Sequence, residues 1–203
     1  MKRKEALFGP GGNSRSFYDA GHKSTLEAPA YVRSMGLGAY EYEAGNGLSA
    51  GAESLLKIGQ AAKENGIELS LHAPYFISLS GVDPEKRLKS VTYIEKSVEA
   101  AVLLGADLVV IHTGSAGKIP REEALSLARD TLEKTLEVVG NAPVSLGLET
   151  MGKQNQLGTL AEVISLCKTD PRLRPVVDFG HMNARACGGL FPDADSYRRV
   201  FSE

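Results

Sequence analysis

Leu108-Val109-Val110-Ile111-His112 is a nearly unbroken run of aliphatic, mostly β-branched residues that ends in an imidazole. Such a run fits a strand covered on both faces of a parallel sheet. Parallel neighbours need helical crossovers between them, and the flanking segments read as such. Upstream, residues 84–104 read as a helix. Asp83 can cap it, Pro84 sits in its first turn, and Val91, Ile94, Val98 and Val102 space like a buried stripe. Downstream, residues 121–139 start a helix after Pro120 and end it at Gly140-Asn141.

The same alternation extends in both directions. Further strands are expected at residues 39–42, 67–72, 144–149 and 174–178, and a short buried one at Ala6-Leu7-Phe8, making a set of six. Helices are expected at residues 25–34, 52–64 and 157–167, with a last one beginning near Asp193. Repeated β-α alternation implies an α/β protein with a parallel sheet, either doubly wound or closed into a (β/α)₈ barrel.

Composition narrows the class. The chain has 203 residues, 42% of them apolar, which is enough to bury a full core. Lys and Arg total 23 against 25 Asp and Glu, so broad attraction to polyanions is not expected. Local phosphate recognition at a metal or a few basic groups stays open. Cys167 and Cys187 form no framework and no paired ligand motif, and a reducing cytoplasm is the expected setting. No apolar run approaches the roughly 20 residues of a membrane span. The opening Met1-Lys2-Arg3-Lys4 is basic, but the apolar stretch after it is cut short at Gly9-Pro10, too soon for a signal peptide.

Reactive residues gather at strand ends. His72, His112 and His181 lie at or just past such ends, Glu149 closes one strand, and Asp178 closes the next. His72, His112, Glu149 and Asp178 follow one another at roughly 30–40 residues, about one βα unit each. In a parallel barrel these ends ring one mouth, where active sites are built. Facing imidazoles and carboxylates are costly to bury without a cation. Mixed N and O ligands suit Zn²⁺, with Mn²⁺ or Fe²⁺ also compatible. The bland alternative is a polar network with no ion. Five candidate ligands exceed the needs of one zinc, and a multinuclear site can generate hydroxide and stabilise both oxygens exchanged at a phosphodiester.

These residues resemble the endonuclease IV family of zinc-dependent AP endonucleases. His72-Ala73-Pro74-Tyr75 looks like its His-Ala-Pro-Tyr motif. His112-Thr113-Gly114 is similar to its His-Pro-Gly, with Thr113 in place of proline. Leu148-Glu149-Thr150, followed by Gly152, Gln154, Leu157 and Gly158, resembles its glutamate strand and glycine-rich loop without the usual Asn. Asp178-Phe179-Gly180-His181 matches its Asp-x-x-His. The resemblance covers essentially the whole chain. It implies a TIM barrel of the xylose-isomerase-like type holding up to three zinc ions and cleaving DNA at abasic sites. By the same resemblance His72 and His112 bind one zinc, Glu149 bridges two and is the catalytic carboxylate, Asp178 binds the second, and His181 the third. Tyr75 would lie near the DNA, its plain alternative being an aromatic cover over the rim.

A full barrel usually takes about 250 residues. The chain is therefore expected to be one barrel domain, residues 1–203, lacking C-terminal βα units, inactive alone and monomeric when complete. The loop Glu43-Ala44-Gly45-Asn46-Gly47 is acidic and small where the family enters DNA with basic and polar groups. Two other readings stay open: a metal-dependent sugar isomerase or epimerase on the same scaffold, and an inactive barrel that binds a ligand or partner. Gly9 to Gly12 read as a tight turn, because no Gly-Lys-Ser/Thr follows. His22 reads as a loop residue. Lys118, Lys153 and Arg185 read as solvated loop charges or phosphate contacts, and the run from Glu122 to Arg129 as a helix face.

Overall fold

The computed structural model describes residues 5–203, so the basic opening Met1-Lys2-Arg3-Lys4 lies outside the described residues. The elements run α1 (Arg15–Asp19), a 3₁₀ turn (Thr25–Glu27), α2 (Ala28–Ser34), β1 (Ala39–Glu43), α3 (Ala52–Asn65), β2 (Glu68–His72) and α4 (Pro84–Leu104). They continue with β3 (Leu108–His112), α5 (Arg121–Val139), β4 (Ser145–Glu149), α6 (Leu160–Cys167), β5 (Leu173–Val176), α7 (Phe179–Arg185) and α8 (Ala194–Val200). The strands hydrogen-bond in sequence order, β1-β2-β3-β4-β5, in one parallel sheet. Among the described residues no helix is long and apolar enough to cross a membrane.

The chain divides into two compact units. The first comprises residues 5–76, 93–110 and 139–145 among those described. Its core holds Tyr40, Leu55, Ile58, Leu69, Leu71, Ile94 and Val109, all buried. The β1–β2 register runs from Ala39↔Glu68 to Glu43↔His72, so these two strands finish level. Helix α3 stops at Gly66, which takes a left-handed φ of 64° and returns its N–H to Ala62 and Lys63.

The second unit comprises residues 77–92, 111–138 and 146–203. Its core holds Leu79, Ile111, Ala124, Leu132, Leu146, Leu148, Leu157 and Leu166, each essentially without solvent contact. Strands β4 and β5 pair from Leu146↔Leu173 to Glu149↔Val176. Helix α6 opens with a reciprocal cap. Thr159 Oγ1 accepts from the Glu162 N–H, and Glu162 accepts from the Thr159 N–H.

Several expectations needed correction. Ala6-Leu7-Phe8 forms no strand, and Phe8 is 72% exposed. The chain still lies along β1, with Ala39 N–H donating to Phe8 O, Glu41 N–H to Pro10 O, and Gly12 N–H to Glu41 O. Pro10 has no N–H to continue a ladder. Gly9 passes so close that a Cβ would fall 1.6 Å from the Ala39 carbonyl oxygen. The tight glycine turn expected here is therefore a close backbone crossing.

In α4 the buried stripe steps from Val98 to Ala101, and Val102 is 48% exposed. Helix α6 starts after its Thr159 cap, which leaves Leu157 buried in the loop before it. Strand β5 ends at Val176, two residues short of Asp178. The short helices α1 and α7 were not foreseen. Each is fixed by a cap, Ser14 Oγ accepting from Phe17 N–H and Asp178 accepting from His181 N–H, rather than by apolar periodicity.

Candidate metal centre

Four of the five candidate ligands belong to the second unit. His112 and Glu149 are the last residues of β3 and β4. Parallel pairing makes strand ends a natural place for side chains from distant segments to meet. Asp178 is not a strand residue as expected but the N-cap of α7, and His181 sits in that helix's first turn. The Asp-x-x-His spacing thus works as a helix start. Asp178 Oδ1 accepts the His181 N–H at 2.6 Å, which keeps both side chains beside the end of β4.

The geometry within this unit is compact. His112 Nε2 lies 3.2 Å from Glu149 Oε2. His181 Nδ1 lies 3.5 Å from Glu149 Oε1 and 3.6 Å from Asp178 Oδ2. Glu149, Asp178 and His181 each offer a ligand atom within 4.8 Å of the others. Glu149 is 7% exposed, whereas Asp178 and His181 are half-buried. A buried carboxylate between two imidazoles is the environment in which a cation offsets desolvation.

Thr150, the residue after Glu149, organises the group. Its hydroxyl accepts from the Asp178 N–H at 2.9 Å, and its carbonyl faces His181 Nδ1 at 3.0 Å. A carbonyl only accepts, so this nitrogen carries the proton and the lone pair is on Nε2. Such a bond orients a ligating imidazole. The sequence did not single out Thr150 for this role. Its only signal was its place beside Glu149.

The donor set fits a divalent cation. Two ligands about 2.1 Å from a tetrahedral zinc lie roughly 3.4 Å apart, close to the 3.2 Å between His112 Nε2 and Glu149 Oε2. The 3.5 and 3.6 Å spacings to His181 end on its protonated Nδ1 and leave Nε2 as the ligating atom. Imidazole with carboxylate suits zinc, manganese or iron alike.

His72 belongs to the first unit and closes β2. It is 7% exposed, and its Nδ1 faces the Ala73 carbonyl at 2.8 Å, so its lone pair too is on Nε2. The Tyr75 ring packs edge-on against it at 4.9 Å between centroids and is 51% exposed. Tyr75 therefore serves as a cover over His72 while keeping an open face.

The remaining singled-out residues separate cleanly. His22 is a loop residue as expected, and within that loop it pairs with Glu27 at 3.0 Å and stacks on Phe17 at 4.9 Å between ring centroids. Lys118 and Lys153 are exposed. Glu122 and Glu123 lie exposed on α5, as expected of a helix face. Arg185 is not a solvated charge. It ends α7, and its guanidinium is taken up by main-chain carbonyls.

The family model described as xylose isomerase-like TIM barrel matches residues 29–201. The chain belongs to the xylose isomerase-like TIM barrel family. Within that family it is similar to a probable endonuclease 4 of Acholeplasma laidlawii, 32% identical over 148 residues, covering 70% of this chain and 50% of that one. It is also similar to an endonuclease 4 of Thermus thermophilus, 30% identical over 175 residues, covering 81% and 61%. The chain spans about half the length of the curated relatives it matches.

Among solved structures, D-psicose 3-epimerase from Clostridium cellulolyticum H10 aligns with a TM-score of 0.71 at 16% identity, over 89% of this chain and 65% of that one. The crystal structure of an endonuclease IV from Thermus thermophilus aligns with a TM-score of 0.66 at 22% identity, over 88% and 65%. These two likenesses speak for the fold of this barrel family member alone.

Proposed function

We propose that this chain is the ligand-bearing part of a metal-dependent phosphodiesterase that hydrolyses DNA at abasic sites, one barrel domain acting as a monomer in the cytoplasm. The observation that carries the reading is the convergence of His112, Glu149, Asp178 and His181, which come from three separate motifs. The similarity to probable endonuclease 4 proteins at 32% identity supports the substrate class. His72 joins the ligand set in this reading, on its motif and its position at the end of β2.

A divalent ion, zinc by preference with up to three per complete site, supplies Lewis-acid stabilisation of the phosphoryl oxygens and activates water. The protein's own residues do the rest. Glu149 is the catalytic carboxylate that spans the two imidazoles and balances the charge of the ion. Thr150 holds the His181 tautomer, and the cap made by Asp178 fixes the ring's entry angle. The exposed face of Tyr75 offers a stacking surface for a nucleotide beside a lesion.

One observation favours a sugar isomerase or epimerase instead. Glu43 brings a carboxylate to Tyr75, which suits a neutral sugar better than a polyanion.

The test is metal analysis of the complete protein together with cleavage of a duplex containing one abasic site, run beside His112→Ala and Glu149→Ala. The nuclease reading expects up to three zinc ions per complete protein and a cut that both substitutions abolish. A preparation that binds a single ion, leaves abasic DNA intact and interconverts ketoses would overturn it in favour of the sugar enzyme.

A further inference from the structure

Arg185 ends α7 and reaches back over the loop that follows Glu149. Its Nη1 donates to the carbonyls of Lys153 at 2.7 Å, Gln156 at 3.2 Å and Met151 at 3.3 Å, and its Nη2 to Gln154 at 3.1 Å. The Gln154 side-chain amide donates in return to the Arg185 carbonyl. Arg121, at the start of α5, holds the same loop from another side. Its Nη2 donates to Gln156 O at 2.8 Å and its Nη1 to Gln154 O at 3.3 Å, while the guanidinium also pairs with Glu162. Burial and the nearby Arg121 push the Arg185 guanidinium below its ordinary value, and Glu162 opposes that shift.

A surface arginine normally gives its donors to water. This one gives them to main-chain oxygens within residues 151–156, beside a second cation that repels it. Such an arrangement fixes the path of a loop that has no regular structure of its own. The loop begins at Thr150, whose carbonyl accepts from His181, and His181 sits one turn before Arg185 on the same helix. Helix α7 is thus attached to the post-Glu149 segment at both ends of one turn.

We propose that Arg185 is a positioning residue for the metal centre, setting the spacing of Glu149 and His181 by tying α7 to the carbonyls of residues 151–156. The inference rests on the metal-centre reading above. Arg185 touches no ligand atom and acts through the loop and the helix. Nη1 alone meets three of these carbonyls and the second arm of the guanidinium adds Gln154, so a single ammonium in its place keeps only part of the brace.

The test compares Arg185→Ala, Arg185→Lys and a control, Arg172→Ala, in the full chain. Arg172 makes comparable bonds to Asp170 and to Leu136 O in the same unit. Zn²⁺ affinity is read by competition with a chromophoric chelator, and backbone hydrogen exchange is read in the metal-free protein. Arg185→Ala should weaken Zn²⁺ binding roughly 3- to 10-fold, less than the 10- to 100-fold cost of removing a group bonded directly to a ligand. Arg185→Lys should restore part of it, short of wild type by the lost Gln154 bond. Exchange at Gln156 and Leu157 should quicken in both variants, and Arg172→Ala should leave Zn²⁺ affinity within about twofold.

Unchanged exchange in Arg185→Ala would overturn the brace. Quickened exchange with unchanged affinity would overturn its link to the metal, as would equal weakening in Arg172→Ala. If Arg185→Ala fails to fold, Arg185→Lys carries the same comparison. A wild-type chain that binds no Zn²⁺ would overturn the metal-centre reading and the positioning role together, and the wild-type titration distinguishes that failure from the others.

Discussion

The Tyr75 hydroxyl donates to Glu43 Oε2 at 3.0 Å, joining the last residue of β1 to the segment after β2. The carboxylate is thereby held beside an aromatic ring that is half open to solvent. A fixed negative charge at such a place repels a phosphate chain. Glu43→Gln keeps an acceptor for the hydroxyl while removing the charge. Affinity for an abasic duplex should rise about three- to tenfold at low salt, with the gain fading as salt screens it. Fluorescence anisotropy at two salt concentrations reads this, and equal affinities would dissociate Glu43 from substrate choice.

Glu149 stands 3.2 Å from His112 and 3.5 Å from His181. Glu149→Gln preserves shape but removes the negative charge that a cation needs. Bound zinc, measured by elemental analysis after dialysis, should fall below half of the wild-type content. Phosphodiester cleavage by the complete protein should fall by at least about a hundredfold, in keeping with loss of a group that acts on the reacting centre. A variant that retains full metal content would remove Glu149 from the ligand set.

Gly158 has a φ of +120°, and a Cβ there would lie 2.7 Å from Met151 Cγ and 2.8 Å from Met151 N. The second contact is with backbone and cannot be relieved by a rotamer change. Gly158→Ala should destabilise the chain by about 2–4 kcal/mol through strain and overpacking. Urea unfolding checks this, and a midpoint within error of wild type would contradict the close packing of this loop.

Burial raises the Glu162 pKa, but the Arg121 guanidinium and the N–H groups of Thr159 and Gly158 outweigh it and hold the carboxyl at about 2. A folded pKa depressed below the ordinary 4.5 adds stability that is fully present above that value and is lost as the pH falls toward 2. The thermal midpoint should therefore drop between about pH 5 and pH 2, and Glu162→Gln should lower the midpoint at neutral pH while flattening that slope. Asp170, also held near 2 by Arg172, contributes to the same window, so the flattening is partial.

Much of this molecule is legible in its sequence. The strand at residues 108–112 and the helices at 84–104 and 121–139 match their observed limits, because strong apolar periodicity coincides with clear stop signals. The candidate ligands were legible because few other side chains bring an imidazole or carboxylate to a strand end. Three features were not. The caps made by Ser14 and Asp178 start helices of five and seven residues, too short for any stripe to show. Phe8 looked buried, yet apolar character alone does not say what covers it. Arg185 looked like a solvated charge, because its partners are backbone carbonyls and these leave no mark in side-chain chemistry.

The bond between Asp178 Oδ1 and the His181 N–H ties the start of α7 to a carboxylate that is itself a candidate ligand. A helix as short as α7 has little cooperativity of its own, so its first turn and the pair of side chains order or melt together. Replacing Asp178 removes the cap and so disturbs His181, whereas replacing His181 leaves the bonded main-chain N–H in place. Asp178→Asn retains a good cap while losing the charge, whereas Asp178→Ala loses both and forfeits about 1 kcal/mol of helix start as well. The difference between those two variants measures how far the chain relies on one carboxylate to serve as both hinge pin and anchor.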